Sequence, residues 1–129
     1  MRFTPILAAA AFFGITLADP SYSCKGQAVC GSQLHLKKWC DIAVNDKLTR
    51  NDDINYGSPE SSLPDTGVCY GAAFGNGCGV FIRGPSHCKF SGNKMWHDYQ
   101  EIRDSGCGIC GFKKYDDGCE MVIDQVSGC

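Results

Sequence analysis

Beyond its first residues the sequence has no long apolar run, no strong charge imbalance and no N-glycosylation signal. The missing apolar run predicts a soluble mature chain that does not insert into membranes. The missing Asn-x-Ser/Thr signal excludes N-linked glycosylation. No Gly-x-Ser-x-Gly elbow occurs either, and this absence argues against a serine hydrolase of the α/β type.

The N-terminal 18 residues have the three zones of a secretion signal. Arg2 supplies the positive charge, residues 6–17 are apolar, and a small-residue cleavage site ends at Ala18. About 12 apolar residues are too few to span a bilayer core, so a membrane anchor is not expected. We therefore predict a signal peptide at 1–18 and one secreted, extracellular domain at 19–129.

The charge of the mature domain is slightly negative. Without Arg2, the 12 basic residues fall to 11 against 14 acidic ones, a formal charge of −3. Nucleic-acid-binding domains are usually basic, and anionic membranes attract basic surfaces. The balance therefore predicts no nucleic-acid partner and no attraction to anionic membranes, and we expect a monomer.

Ten cysteines lie in the predicted mature domain. An even number at this density in a small exported chain predicts five disulfides, with no metal and no cofactor. Two alternatives stay open: a redox role for Cys107-x-x-Cys110, and a zinc site that uses cysteines with His35, His87 or His97. The redox role is disfavoured because the pair follows the C-terminal end of a predicted helix. The cysteines are Cys24, Cys30, Cys40, Cys69, Cys78, Cys88, Cys107, Cys110, Cys119 and Cys129.

Apolar residues recur at helical spacing in two segments. The first helix begins at Ser32 or Gln33, with Ser32 as the better cap. The second covers 93–105, with Asn93 as its cap, Gly106 as its end and Asp98 facing water. The apolar positions of the first helix are Leu36, Trp39, Cys40, Ala43 and Val44.

The rest of the domain reads as short strands and loops. Residues 45–66 are rich in Asn, Asp, Ser, Pro and Gly, and predict a long surface loop. The Asn76-Gly77 step predicts a hairpin turn. Together these elements predict an α+β domain in two layers, with a sheet of hairpins and two helices. The predicted strands are 67–73, 78–83, 109–115 and 119–126.

Small disulfide-rich domains more often present a binding surface than enclose a catalytic cleft. A secreted ribonuclease would need paired acid–base groups with a cationic stabiliser. Glu60, Arg83, His87 and His97 are the right residue types, but nothing in their spacing selects them. We therefore expect no enzymatic activity, and a small secreted hydrolase is the least favoured class.

Three motifs resemble the smut-fungus viral killer toxin type four (KP-four) family. Ser23-Cys24-Lys25-Gly26 with Cys30-Gly31 resembles its opening. The run 104–111, Asp-Ser-Gly-Cys-Gly-Ile-Cys-Gly, resembles the end of its helix and its Cys-x-x-Cys. The tail 121–129 resembles its last strand and terminal cysteine, and Val68-Cys69-Tyr70-Gly71 and Cys88 fall between them in matching order.

The resemblance implies an antiparallel sheet covered by two antiparallel helices, with five disulfides. The matched positions imply Cys24–Cys107, Cys30–Cys110 and Cys69–Cys129. Two further family cysteines are absent here, and if they bonded each other, the remaining pairs are Cys40–Cys88 and Cys78–Cys119.

The resemblance also implies a secreted toxin or toxin-like effector that binds a cell-surface protein or channel, such as a calcium channel, on competing fungi or a plant host. The type member acts through a lysine that precedes the cysteine matched by Cys69, and Val68 stands there in this chain. We therefore expect other lysines to contact the target: Lys113 and Lys114, beside a predicted turn at 116–118, and Lys25, which the implied bridges put near Cys107. The alternative is a non-toxic apoplastic effector that binds wall glycan or inhibits a host enzyme.

Overall fold

The computed structural model describes residues 20–72 and 75–129. The predicted signal peptide at 1–18 lies outside the described residues. Among those residues no helix is both long and apolar enough to cross a membrane. Two α-helices are present, α1 (His35–Ile42) and α2 (Gly92–Asp104). A π-helical turn at Ala43–Lys47 extends α1, and a 3₁₀ turn covers Ala28–Gly31.

Within the described part of the chain, seven strands form two antiparallel sheets. The larger sheet has five strands in the order β1-β6-β7-β4-β3, and the smaller pairs β2 with β5. An α+β domain with an antiparallel sheet and five disulfides is therefore confirmed, with more sheet than we expected. The strands are β1 (Ser21–Ser23), β2 (Ile54–Gly57), β3 (Gly67–Gly71), β4 (Asn76–Arg83), β5 (Lys89–Ser91), β6 (Gly111–Lys114) and β7 (Glu120–Ser127).

The register of the larger sheet puts both helices on one face. Ile82 lies opposite Met121, and Met121 lies opposite Lys113, so these side chains share a face. Cys78 alternates onto the same face as Ile82 and is bonded to Cys40 of α1. Lys113 reaches α2 from this face. The core therefore fills the space between the helices and this side of the sheet.

The apolar spacing selected core residues in both helices. Leu36 and Cys40 of α1 are fully buried, as are Met95 and Ile102 of α2. Ser91 caps α2 by accepting a hydrogen bond from the amide of Lys94. The predicted cap at Asn93 is therefore wrong by two residues. Gly106 ends α2 with a φ of 110°, which a residue with a side chain rarely adopts.

Two other boundaries differ from the sequence prediction. The N-cap of α1 is Leu34, without a side-chain cap, while the Ser32 hydroxyl donates to the carbonyl of Val29. Strand β4 already begins at Asn76, so the Asn76-Gly77 step lies within a strand and not in the turn that the sequence predicted; the predicted strand end at residue 73 lies outside the described residues. Segment 45–66 also contains the short strand β2, because Tyr56 pairs with Phe90 of β5.

The structure pairs Cys24 with Cys107, Cys30 with Cys110, and Cys69 with Cys129, as the resemblance implied. The other two expected pairs are wrong. Cys40 bonds Cys78, and Cys88 bonds Cys119. All ten cysteines lie in the described ranges, and each of them is in a disulfide.

The register of the sheet explains the correction. Cys78 lies opposite Gln125, whereas Cys119 precedes Glu120 at the other end of β7. Six residues of strand span about 20 Å, far beyond the reach of a disulfide. Cys78 instead faces α1, and the chain at Gly84 packs close to the backbone of Cys119, which brings Cys88 to its partner.

Candidate functional site: a polar groove between the helices

The outer surface of the helical layer carries a groove between α1 and α2. The Trp96 indole donates to the Asn45 side chain at 3.0 Å, and the Tyr99 hydroxyl donates to Asp41 at 2.5 Å. Trp96 contacts Asn45 and the later residue Tyr99 contacts the earlier residue Asp41, so the two helices run antiparallel. The groove has a volume of about 510 Å³. We call it the helix groove, and its lining side chains are Lys37, Asp41, Asn45, Tyr99, Gln100 and Arg103, with backbone at 106–108.

A chain of hydrogen bonds crosses the floor of the helix groove. Arg103 donates to the Tyr99 hydroxyl at 2.8 Å, and Tyr99 donates to Asp41. Lys37, one helical turn before Asp41, pairs with the second carboxylate oxygen at 3.1 Å. Burial, and then the hydrogen bond to Asp41, raises the pKa of Tyr99. The phenol therefore stays protonated and holds the two helices together as a neutral donor.

Arg103 is fastened to the end of α2. One guanidinium nitrogen donates to the carbonyls of Cys107 at 3.1 Å and Ile109 at 2.7 Å. Its Nε is buried and makes no hydrogen bond to a described residue. None of the ion pairs among residues 20–72 and 75–129 includes Arg103. The groove floor thus holds a guanidinium whose direct partners are neutral oxygens.

An aromatic side chain lies beyond Asn45. Trp96 is half-buried, and the Arg50 guanidinium stacks over its ring at 4.2 Å. Arg50 also donates to Asn93, which donates to Asp52. Through the bond from Trp96 to Asn45, this polar and aromatic cluster is continuous with the helix groove.

Lys113 does not lie where the sequence analysis placed it. Its side chain is only 8% exposed, and its ammonium donates to Asp98 at 2.9 Å and Glu101 at 2.6 Å. Asp98, expected to face water, is buried and also accepts from the Tyr115 hydroxyl. The prediction that Lys113 contacts a target is wrong, because β6 turns this side chain onto the helix-covered face.

This buried network has marked electrostatic consequences. Burial lowers the pKa of the Lys113 ammonium, but the hydrogen bonds to Glu101 and Asp98 outweigh burial and raise it overall. The hydrogen bond from Lys113 lowers the pKa of Glu101, and one from Tyr22 adds to that effect. Both charges therefore persist, and they fasten α2 to β6 and β1.

The other two predicted contact lysines are exposed. Lys114 is the last residue of β6 and alternates to the face away from the helices. Lys25 lies in the N-terminal segment beside the Cys24–Cys107 bridge, outside the helix groove. The three lysines therefore do not form one surface, and Lys25 and Lys114 remain predictions as contact residues.

The residues considered for catalysis or metal binding each contact a different partner and do not come together in one site. Arg83 pairs with Glu120 at 2.5 Å, and His87 lies 3.5 Å from Asp117. His97 meets the ring of Trp96. No hydrogen bond or ion pair joins Glu60, Arg83, His87 and His97 to one another among the described residues. Cys88 and Cys119 approach His87, but both sulfurs are held in a disulfide.

Sequence reasoning missed the helix groove as a site. The Lys37 and Asp41 pair at i and i+4 on the exposed face of α1 was a usable signal. Nothing in the sequence indicated that Tyr99, on the apolar stripe of α2, would turn its hydroxyl to Asp41. That contact depends on how the two helices lie side by side.

One comparison identifies relatives of the chain. A family model described as the meiotically up-regulated gene family (MU117) matches residues 22–129. No curated protein matches the chain. The family match covers more than half of the 129 residues and spans all ten cysteines. The chain therefore belongs to the meiotically up-regulated gene family.

Proposed function

We propose that this protein is a secreted, killer-toxin-like protein that binds a target on the surface of a competing fungus or plant host cell and inhibits its growth. One observation carries the proposal: five disulfides fix α1, the chain before and after α2, and both ends of the domain. Such cross-links suit an oxidising environment and a surface that must persist outside a cell.

The positions of the bridges support a role in binding. Cys24–Cys107 and Cys30–Cys110 attach the N-terminal segment to the chain after α2. Cys40–Cys78 attaches α1 to β4. Because α1 and α2 are both restrained, the helix groove keeps its shape before a target arrives, and less conformational entropy is lost on binding.

The resemblance to the killer toxin family gives the proposal its toxic component. Three bridges that the resemblance implied occur here, together with two helices on an antiparallel sheet. The lysine position before Cys69 is occupied by Val68. We therefore propose that the helix groove, with Lys25 and Lys114 as secondary contacts, takes the place of that lysine.

A growth assay tests the proposal. Purified oxidised protein 19–129 is added to cultures of fungi and to root cells, with and without added calcium, and a reduced and alkylated sample is the control. We expect dose-dependent inhibition by the oxidised protein alone. Reversal by added calcium would place the target in calcium entry.

The opposite result is equally informative. If the oxidised protein inhibits no cell in the panel, the toxin proposal is wrong and the non-toxic apoplastic effector takes its place. Equal inhibition by the alkylated sample would also contradict the proposal, because that activity would not need the cross-linked scaffold.

A further inference from the structure

We propose that the helix groove binds a short oligosaccharide, so that the target of this protein is a cell-surface glycan. The inference rests on the proposed function, because it names the chemical class that the binding surface recognises. It is carried by the mixed donors and acceptors in the groove, by the fixed positions of Asp41 and Asn45 and by the volume of the groove.

The lining of the groove presents donors and acceptors together. Lys37 and the amide nitrogen of Asn45 donate, Asp41 accepts, and the Gln100 amide does both. An inorganic anion would use only the donors, and an apolar ligand would use neither. A sugar hydroxyl both donates and accepts, so adjacent hydroxyls of a saccharide can satisfy such a mixed set.

Two of the polar groups, Asp41 and Asn45, are held in place before a ligand binds. Asp41 is fixed by Tyr99 and Lys37, and the Asn45 oxygen accepts from Trp96, which leaves its amide nitrogen available to a ligand. Gln100 is half-buried and makes no side-chain hydrogen bond to a described residue. Binding at Asp41 and Asn45 therefore costs little reorganisation of the protein.

The size of the groove agrees with this ligand class. A volume of about 510 Å³ lies within the range of small-ligand sites, roughly 300–1,000 Å³. Beyond Asn45, the Trp96 ring and the Arg50 guanidinium stacked on it continue the surface. The Arg50 guanidinium covers a face of this ring, so the surface beyond the groove is polar as well.

Two glycines provide matched variants. A Cβ atom added at Gly108, on the groove, or at Gly31, outside it, meets no heavy atom within 4 Å, so a side chain can begin at either position without a clash. Gly108→Tyr is expected to obstruct the groove, and Gly31→Tyr is its control. Gln100→Ala removes one ligand contact without removing an internal hydrogen bond.

The experiment uses the oxidised domain and a glycan array that contains β-glucan, chitin, mannan and N-glycan oligosaccharides. Hits are then titrated by calorimetry and by NMR of the backbone amides. We expect one class to bind and to shift amides of α1 and α2. Gln100→Ala is expected to weaken binding about threefold to tenfold, as for one neutral hydrogen bond. Gly108→Tyr is expected to weaken it more than tenfold, and Gly31→Tyr to leave it unchanged.

Two outcomes would overturn the inference: no binding to any glycan on the array, or binding that Gly108→Tyr leaves unchanged. Both are separable from failure of the proposed function. If the protein inhibits growth without binding glycan, the toxin proposal holds and the glycan inference is wrong. If the protein binds glycan through the groove but inhibits no cell, the glycan inference holds and the toxin proposal is wrong.

Discussion

Replacing Lys113 with methionine tests the buried ion network. Methionine has a similar length and no charge, so the substitution fills much of the same space. It leaves Asp98, whose side chain is 3% exposed, with the Tyr115 hydroxyl as its remaining side-chain partner in the network. A buried carboxylate that loses its cation keeps its cost of desolvation without the compensating attraction.

The expected loss is large for a single substitution. Removing one partner of a buried ion pair costs about 3–5 kcal/mol, which is a substantial share of the free energy of unfolding of a small domain. The contribution of Glu101 to this loss is smaller, because its side chain is 47% exposed and water screens it. Adding Asp98→Asn to Lys113→Met is expected to recover part of the loss, because it removes the unpaired charge.

The assay is guanidinium denaturation of the oxidised protein, followed by circular dichroism. Lys114→Met is the matched control, since Lys114 is the next residue, exposed and on the opposite face. Its effect is expected to stay within about 0.5 kcal/mol. If Lys113→Met lowers the free energy of unfolding by less than about 1 kcal/mol, or by no more than the control does, the buried ion pairs of Lys113 do not stabilise the domain.

Three further outcomes are expected. Stability is expected to fall as the pH drops below about 4.5, the ordinary pKa of Glu101, because the pKa of Glu101 is lower in the folded protein and the unfolded chain binds the proton first. Glu101→Gln should flatten this dependence of stability on pH, and an unchanged dependence would contradict the role of Glu101. Thiol labelling of the denatured, unreduced protein should find no free thiol, whereas two or more labelled sites per chain would contradict the closed framework. Non-reducing peptide mapping should recover Cys40–Cys78 and Cys88–Cys119, and a peptide joining Cys40 to Cys88 would contradict the sheet register.

Features with a local cause could be predicted from the sequence. The spacing of Met95, Tyr99 and Ile102 selected one face of α2, and all three are buried. Gly106 ends that helix because the chain turns there with positive φ. Each of these depends on neighbours within one or two helical turns.

Features that depend on distant partners could not be predicted. Asp98 was expected to face water because charged residues usually do. It is buried instead, because Lys113 of β6 balances its charge and the Tyr115 hydroxyl, just after β6, donates a hydrogen bond to it. Strands β2 and β5 were missed because each is short and lies between polar segments. Their apolar residues, Tyr56 and Phe90, indicate strands only when paired with each other.

The candidate site was the least predictable part. Lys37 and Asp41 are visible as a helical pair in the sequence, but the groove forms only where α2 lies antiparallel to α1. The three contact lysines were chosen from their nearness to turns and cysteines. That criterion contains no information about which face of β6 each side chain occupies, and it failed for Lys113.

The central claim is that this cross-linked domain acts on other cells through the helix groove. Dose–response curves of growth inhibition for the wild type, Gly108→Tyr and Gly31→Tyr test it most directly. We predict that the wild type and Gly31→Tyr inhibit with the same potency and that Gly108→Tyr loses at least tenfold. Equal potency of all three proteins would contradict the claim.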